Sequence, residues 1–567
     1  MGDVVRVAAG ERVELDAGTA RTLDERRAAI EDRVRRTRAP AYGFNRGFGH
    51  NVDVAVGPEE LEQLQLNLIR SHSSGLGPSA PTEVVRAAML LRAASLAKGN
   101  SGVRATVVTK LLELLNAQLT PVVPVYGSVG ASGDLAPLSH IALALIGEGA
   151  VLASGSAEPV PAAVALTAAG IEPLRPQMKE GLALNNGLQF STAYGVLALD
   201  RMWVLLETAA LATAISAQVQ LGSDAPYAAD LHELRPHPGG VAVARWLRML
   251  MRESPIRHAH ERHAVDWQVQ DPYSLRCAAQ VLGACHELLT DAQATLETEI
   301  NSVTDNPLLL PDEDGDYTRV VSGGHFHGMP VAVRLHGVLQ AMAIAAHLSS
   351  ARCARYVDER RNKGLGPDLI WPELGPAAMA ASSGMMIPEY VAVALTNGIT
   401  AACAPSHLMS VATDAGQEDH VSMSAGLAVR VWDTLPRLAE VLAIELAFGS
   451  QAAALRAEAE HIPTKRELTA EQREATRPER EAYEAALRRE LGAPDLDVDV
   501  TVAGQHRWSV DERRLSPPCE RAIAAVRDYC PVVKEDRVLS GDLAELARAV
   551  GDGEIIAAAT PGVDWYE

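Results

Sequence analysis

Residues 127 to 134 read Gly127-Ser128-Val129-Gly130-Ala131-Ser132-Gly133-Asp134, and the three small residues Ala131-Ser132-Gly133 decide how the rest of the chain is read. Little more than a methyl and a hydroxymethyl group obstructs this backbone when it folds onto itself, so the Gly133 amide nitrogen can approach the Ala131 carbonyl carbon. Attack there closes a five-membered ring. Loss of water, including the Ser132 hydroxyl, then leaves an exocyclic methylidene group. Such a group is an electrophile made from the chain itself, in a polymer whose side chains are mostly nucleophiles, acids and bases. The same stretch also reads as a tight loop before a helix, with Asp134 as N-cap and Pro137 in the first turn. Neither G-x-x-x-x-G-K-[ST] nor G-x-G-x-x-G fits, which disfavours a phosphate cradle.

The surroundings extend the pattern. Thr120-Pro121-Val122-Val123-Pro124 precedes the loop, and Asp134-Leu135-Ala136-Pro137-Leu138-Ser139-His140 follows it. Together they resemble the signature of the aromatic amino acid lyases, the family of histidine, phenylalanine and tyrosine ammonia-lyases and their aminomutase relatives. The resemblance implies a mainly α fold with a long central helical bundle. It also implies a 4-methylidene-imidazol-5-one (MIO) group formed from Ala131-Ser132-Gly133, no external cofactor, and a homotetramer whose active sites draw on several subunits.

Composition agrees with a helical protein, since alanine and leucine dominate and aromatics reach only 4% of 567 residues. A formal charge of -21 disfavours nucleic acid and anionic membrane surfaces as partners. Cys277, Cys285, Cys353, Cys403, Cys519 and Cys530 are scattered without a C-x-x-C pair, as expected of reduced thiols in a cytoplasmic protein. No apolar signal core opens the chain, and no uncharged apolar run reaches roughly 18 residues, so no membrane span is expected.

Hydrophobic periodicity predicts helices at about 58–70, 83–118, 188–222, 272–301, 329–361, 386–412 and 420–455, packed as an extended bundle. Strand signals are confined to 3–15, 121–126 and 317–322. Three parts are expected: 1–190 with the triplet, 191–452 as the central bundle, and 453–567 as a C-terminal helical region. The last contains a charged insertion at about 456–514, read as a solvated face.

Eliminating ammonia from an α-amino acid requires a base at the β-carbon and an amino group made able to leave. Tyr42 lies in Tyr42-Gly43-Phe44-Asn45-Arg46-Gly47-Phe48-Gly49, where glycines suit a loop that closes over substrate, and the family's Y-G-x-x-x-G-F-G pattern implies Tyr42 as that base. A phenol of ordinary pKa near roughly 10 serves only where its surroundings stabilise the phenolate. In Gln270-Asp271-Pro272-Tyr273-Ser274-Leu275-Arg276, Asp271 reads as an N-cap with Pro272 at the first helical position, which makes Tyr273 and Arg276 i,i+3 neighbours. The resemblance implies carboxylate binding by Arg276, with Gln270 and Tyr273 near the prosthetic group. Lys179-Glu180-Gly181-Leu182-Ala183-Leu184-Asn185-Asn186-Gly187-Leu188 carries over Asn186 as an active-site amide. Thr304-Asp305-Asn306-Pro307-Leu308 is another family signature, and Gly323-Gly324-His325-Phe326-His327-Gly328 carries over Phe326 as the aromatic beside the ring. Arg46, Asn185, Leu188 and His325 depart from the family's usual residues.

Ser71-His72 is similar to the pair in histidine lyases and some tyrosine aminomutases, and Gln417-Glu418-Asp419-His420-Val421-Ser422-Met423 resembles the histidine-lyase form. Imidazole offers a donor that phenyl lacks, so His72 and Glu418 are expected to bind the side chain of L-histidine, with urocanate as product. A lyase or 2,3-aminomutase acting on tyrosine or another aromatic amino acid is the alternative within the family, and a non-catalytic binding relative is the alternative outside catalysis. His258, His260 and His263, or His325 and His327, do not complete a metal set.

Overall fold

The computed structural model describes residues 1–37, 43–44, 57, 60–263, 270–372, 375–459, 461–465, 481–482, 485, 489, 503–563 and 565. The fold is mainly α. Its longest helices are Gln189–Val219, Ala278–Ile300, Met329–Val357 and Ser424–Glu458. Alanine and leucine make these runs good helix formers, and the first is buried almost all round, as a helix in the middle of a core must be. Three of them are long and apolar enough to cross a membrane by length and composition. Their apolar windows are instead 89%, 61% and 83% buried within the protein, in Gln189–Val219, Met329–Val357 and Ser424–Glu458 respectively.

The chain divides into two compact units. One comprises Met1–Met202, Leu288–Gln340 and Ala402–Leu435, the other Trp203–Glu287, Ala341–Ala401 and Pro436–Glu567. In the first, helices Thr82–Ala97 and Ala105–Asn116 lie against each other, and the buried Arg86 of the former joins the C-terminal ends of Gly2–Ala8 and Ala105–Asn116. Its guanidinium donates to the carbonyls of Val7, Ala8 and Leu115, in the last turns of those two helices, where carbonyls run short of intrahelical donors. A three-stranded antiparallel sheet of Leu119–Pro121, Ala150–Ala153 and Val160–Pro161 pairs Thr120 with Leu152, and Leu76–Ser79 pairs with Pro124–Tyr126. These short strands hold the two ends of the segment that leads into the glycine-rich loop.

Several expectations need correction. Residues 3–15 are not a strand: Gly2–Ala8 is a helix, docked on Thr82–Ala97 through buried Val4 and Val7. The pattern over 83–118 is two helices, interrupted where Gly99 and Gly102 adopt φ of +79° and +70°, a conformation no helix continues through. Residues 121–126 hold the end of one strand, at Pro121, and the whole of another, Pro124–Tyr126, in different sheets, and helix 386–402 stops well before 412 because Pro405 follows it.

In the second unit, Glu445 is buried and receives the guanidinium of Arg352, at 2.8 Å for Nη2 to Oε2, together with the hydroxyls of Ser216 and Ser349. Its lone pairs are satisfied, as a buried carboxylate requires. Arg456 does not begin a solvated segment: it is buried and donates to the carbonyls of Val219 and Asn362. An antiparallel ladder pairing His461 with Arg507 and Lys465 with Ala503 closes the base of the charged insertion, a pairing invisible to local sequence.

Candidate active site

The glycine-rich loop is held in the first unit by residues that begin the surrounding helices. Asp134 N–H donates to the Gly187 carbonyl at 2.6 Å, Gly328 N–H to the Gly130 carbonyl at 3.2 Å, and Met423 N–H to the Val129 carbonyl at 2.7 Å. Helices Leu135–Leu145, Gln189–Val219, Met329–Val357 and Ser424–Glu458 start at or just after these contacts. Their positive ends therefore favour negative charge near the loop. Gly133 has a φ of +78°, and a Cβ there would lie 2.2 Å from the Gly187 carbonyl oxygen. Only glycine satisfies both conditions.

Ser132 is gripped at both of its oxygens. Asn186 Nδ2 donates to its carbonyl at 2.7 Å, and its hydroxyl donates to Glu418 Oε1 at 2.5 Å. Asn186 is 4% exposed, and its own Oδ1 is buried with no partner among the described residues. Glu418 is fixed in turn, since Thr413 Oγ1 donates to Oε2 at 2.6 Å and the Thr413 N–H donates to the Glu418 carbonyl. The expectation for Glu418 concerned the substrate; the contact with Ser132, 286 positions away, was not foreseen.

Asp134 is the N-cap of Leu135–Leu145 by position, yet its carboxylate does not cap that helix. It accepts the hydroxyls of Ser128 and Ser191 and the Ser191 N–H, each at 2.8 Å, and so ties the loop to the next long helix. Burial raises its pKa, against the pull of those hydrogen bonds. Glu299 lies within electrostatic reach, and burial first, then the charge of Asp134, pushes its carboxyl up to about 7. Because the folded state holds this proton more tightly than the unfolded chain does, the stability it contributes is present at low pH and is lost as pH rises from about 4.5 through about 7. Glu299→Gln should raise the unfolding free energy at pH 8 by roughly 3 kcal/mol at most, and much less at pH 5. Thermal or denaturant melts at the two pH values check this, and an equal effect at both would contradict it.

Arg92 supports the segment that carries Asn186 and was not singled out from the sequence. Its buried guanidinium donates to the Asn186 carbonyl at 2.7 Å and to Gln189 Oε1 at 3.0 Å. Burial brings its pKa down to about 10, opposed by Asp305. The signal was there, an arginine inside Met89-Leu90-Leu91-Arg92-Ala93-Ala94, but nothing local said what it faced. Two family-like stretches also meet, with Lys179 Nζ 2.9 Å from Asp305 Oδ2 in a fully buried pair. Their role here is structural. Asn185 is buried and donates to Ser139 Oγ at 3.1 Å, and Leu188 is buried apolar surface.

His72 is half-buried at the end of Leu61–His72 with Ser71 Oγ 3.1 Å from its Nδ1. Burial lowers its pKa, while the charges of Asp414 and Glu418 oppose this. Phe326 is half-buried two residues before Gly328, and His325 is exposed. Tyr42 lies outside the described residues. Its neighbour Phe44 is buried against Ile30 and Leu309.

Gln270, Tyr273 and Arg276 belong to the second unit. Pro272, not Asp271, is the N-cap of the short helix Tyr273–Arg276, because the Asp271 carboxylate accepts the Ser223 N–H at 2.6 Å instead. The Arg276 guanidinium carbon lies 4.8 Å from the centre of the Tyr273 ring, so the expected i,i+3 pair forms as a cation–π contact. Arg276 Nε is buried without a partner among the described residues, whereas Gln270 and Tyr273 are exposed. Among the described residues no group of three or more His, Cys, Asp or Glu side chains is placed to hold a metal.

A family model described as aromatic amino acid lyase matches residues 1–478. A histidine ammonia-lyase of Deinococcus radiodurans is 44% identical over 442 residues, covering 78% of this chain and 81% of the relative. One of Bradyrhizobium diazoefficiens is 37% identical over 563 residues, covering 99% and 95%. The crystal structure of a tyrosine aminomutase from Streptomyces globisporus superposes with a TM-score of 0.81 at 30% identity, covering 98% of this chain and 96% of that one.

Proposed function

The chain belongs to the aromatic amino acid lyase family, and from that membership we propose that it is a carbon–nitrogen lyase that eliminates ammonia from L-histidine to give urocanate. The observation that carries the reading is the grip on Ser132, with an amide on its carbonyl at 2.7 Å and a carboxylate on its hydroxyl at 2.5 Å. An MIO group formed from Ala131-Ser132-Gly133 supplies a methylidene carbon that turns the substrate amino group into a better leaving group.

The residues present fit that group. Gly133 leaves no room for a side chain where the ring closes, and Asn186 already donates to the oxygen that becomes the ring carbonyl. The ring, once formed, would draw negative charge onto this oxygen. The Asn186 amide and the neighbouring helix starts stabilise it there. Tyr42 removes the β-proton, and Arg276 takes the substrate carboxylate with two hydrogen bonds. Gln270, Tyr273 and Phe326 line the prosthetic group, while His72 and Glu418 select the imidazole. The family resemblance implies a cytoplasmic homotetramer, and the exposed apolar residues Ile387, Tyr390, Val391 and Val393 on helix Met386–Ala402 support a surface covered by another subunit.

Asn186→Ala is expected to lower kcat/KM on the order of 10²-fold, as removal of one oxyanion donor does. Steady-state kinetics on folded protein check it, and an effect confined to KM would contradict the role.

Incubating the purified protein separately with histidine, tyrosine and phenylalanine and identifying the products tests the function. Urocanate and free ammonia from histidine are expected; no turnover of histidine sinks the reading. The likeness to a tyrosine aminomutase favours one second reading, in which tyrosine is converted to its β-amino isomer and ammonia is returned rather than released.

A further inference from the structure

We propose that Glu418 is the acid that carries off the Ser132 hydroxyl when the chain makes its own electrophile. The proposal rests on the reading of Ala131-Ser132-Gly133 as the precursor of that group, and it adds a task that substrate selection does not include.

Ring closure joins Gly133 N to the Ala131 carbonyl carbon; that carbonyl oxygen leaves as one water with the Gly133 and Ser132 amide protons, and a C=N bond forms from the Ala131 carbon to Ser132 N. The second water must come from Ser132, whose hydroxide is a poor leaving group unless it is protonated as the Cβ–Oγ bond breaks. Glu418 Oε1 is the side-chain oxygen hydrogen-bonded to that hydroxyl, at 2.5 Å. Its other oxygen is engaged by Thr413 Oγ1 at 2.6 Å, and the Thr413 to Glu418 backbone pair holds the whole segment. Oε1 is thereby the Glu418 oxygen placed to pass a proton to Ser132 Oγ, and the step requires the carboxyl to have taken that proton from solvent first. Asp134, the other carboxylate of the loop, is committed to Ser128 and Ser191. The Asn186 amide on the Ser132 carbonyl stabilises charge there and so acidifies the Ser132 Cα–H.

The atoms balance. The Cα proton passes to solvent and its electron pair forms the Cα=Cβ bond. The Cβ–Oγ bond breaks as the Glu418 proton moves to Oγ, water departs, and the carboxylate regains a proton from solvent. No oxidant or other reactant is needed.

Mass spectrometry of the intact protein and of its 127–134 peptide, followed in time after synthesis, tests this without any turnover assay. The wild type is expected to lose two waters. Glu418→Gln keeps a hydrogen-bonding group but no acidic proton, and should retain the Ser132 hydroxyl with dehydration slowed about 10²-fold or more. Thr413→Val, which frees Oε2 without touching Ser132, should slow the same loss less. Loss of two waters from Glu418→Gln at the wild-type rate would overturn the proposal and leave Glu418 with the substrate alone. If Glu418→Gln does not fold by circular dichroism, Thr413→Val decides, and a wild-type rate there overturns it. An unmodified wild-type mass would overturn the underlying reading of the triplet and this proposal with it, so the two failures are distinct.

Discussion

Ser132→Ala is expected to fold with near wild-type stability and to lose at least about 10³-fold in kcat, because the variant lacks the hydroxyl whose departure creates the methylidene carbon. In free-energy terms that is about 4 kcal/mol of transition-state stabilisation, far more than the single hydrogen bond to Glu418 contributes to the fold. The residues around the triplet remain in place, so the loss is chemical. Steady-state kinetics with histidine, paired with intact mass, separate the outcomes. Activity within tenfold of wild type would mean that the electrophile is not made here.

Gly133→Ala is expected to cost about 3 kcal/mol or more in stability and to abolish the loss of water from the triplet. The two penalties are separate: a left-handed φ of +78° costs a side-chain-bearing residue about 1 kcal/mol or more, and a Cβ 2.2 Å from the Gly187 carbonyl forces backbone against backbone. Neither penalty can be relieved by a rotamer change, because the Cβ position is set by the backbone and the atom it meets is a main-chain carbonyl. The start of helix Gln189–Val219 would have to move, and with it Asn186, which holds the Ser132 carbonyl. Chemical denaturation and mass spectrometry check the two halves of this prediction. A Gly133→Ala protein of wild-type stability that still dehydrates would contradict the geometry.

Much of this was legible in the chain because the relevant signals are local. A run of small residues needs no tertiary contact to be recognised, and the 3.6-residue period of leucine and alanine placed the long helices to within a few residues. The misses share a cause. Asp134 and Asp271 both have the composition of N-caps, but in each case a serine N–H far along the chain competes for the carboxylate: Ser191 for the first, Ser223 for the second. Arg456 belongs by composition to a charged run, yet it ends a helix and satisfies buried carbonyls. Propensity reports what a residue offers and not which partner takes it.

By itself, the sequence determined the family, the helical class, the triplet and most of the residues proposed to act with it, since each is written in a few adjacent positions. Only the tertiary structure decided that Glu418 receives the Ser132 hydroxyl, that Asn186 holds the Ser132 carbonyl, that Arg92 braces Asn186, and that Asp134 braces the loop. These pairs join residues from 54 to 286 positions apart, apart from Asp134 with Ser128. Which of them meet depends on where helix starts and short strands bring the backbone together, and that follows from burial of the whole core rather than from any local stretch.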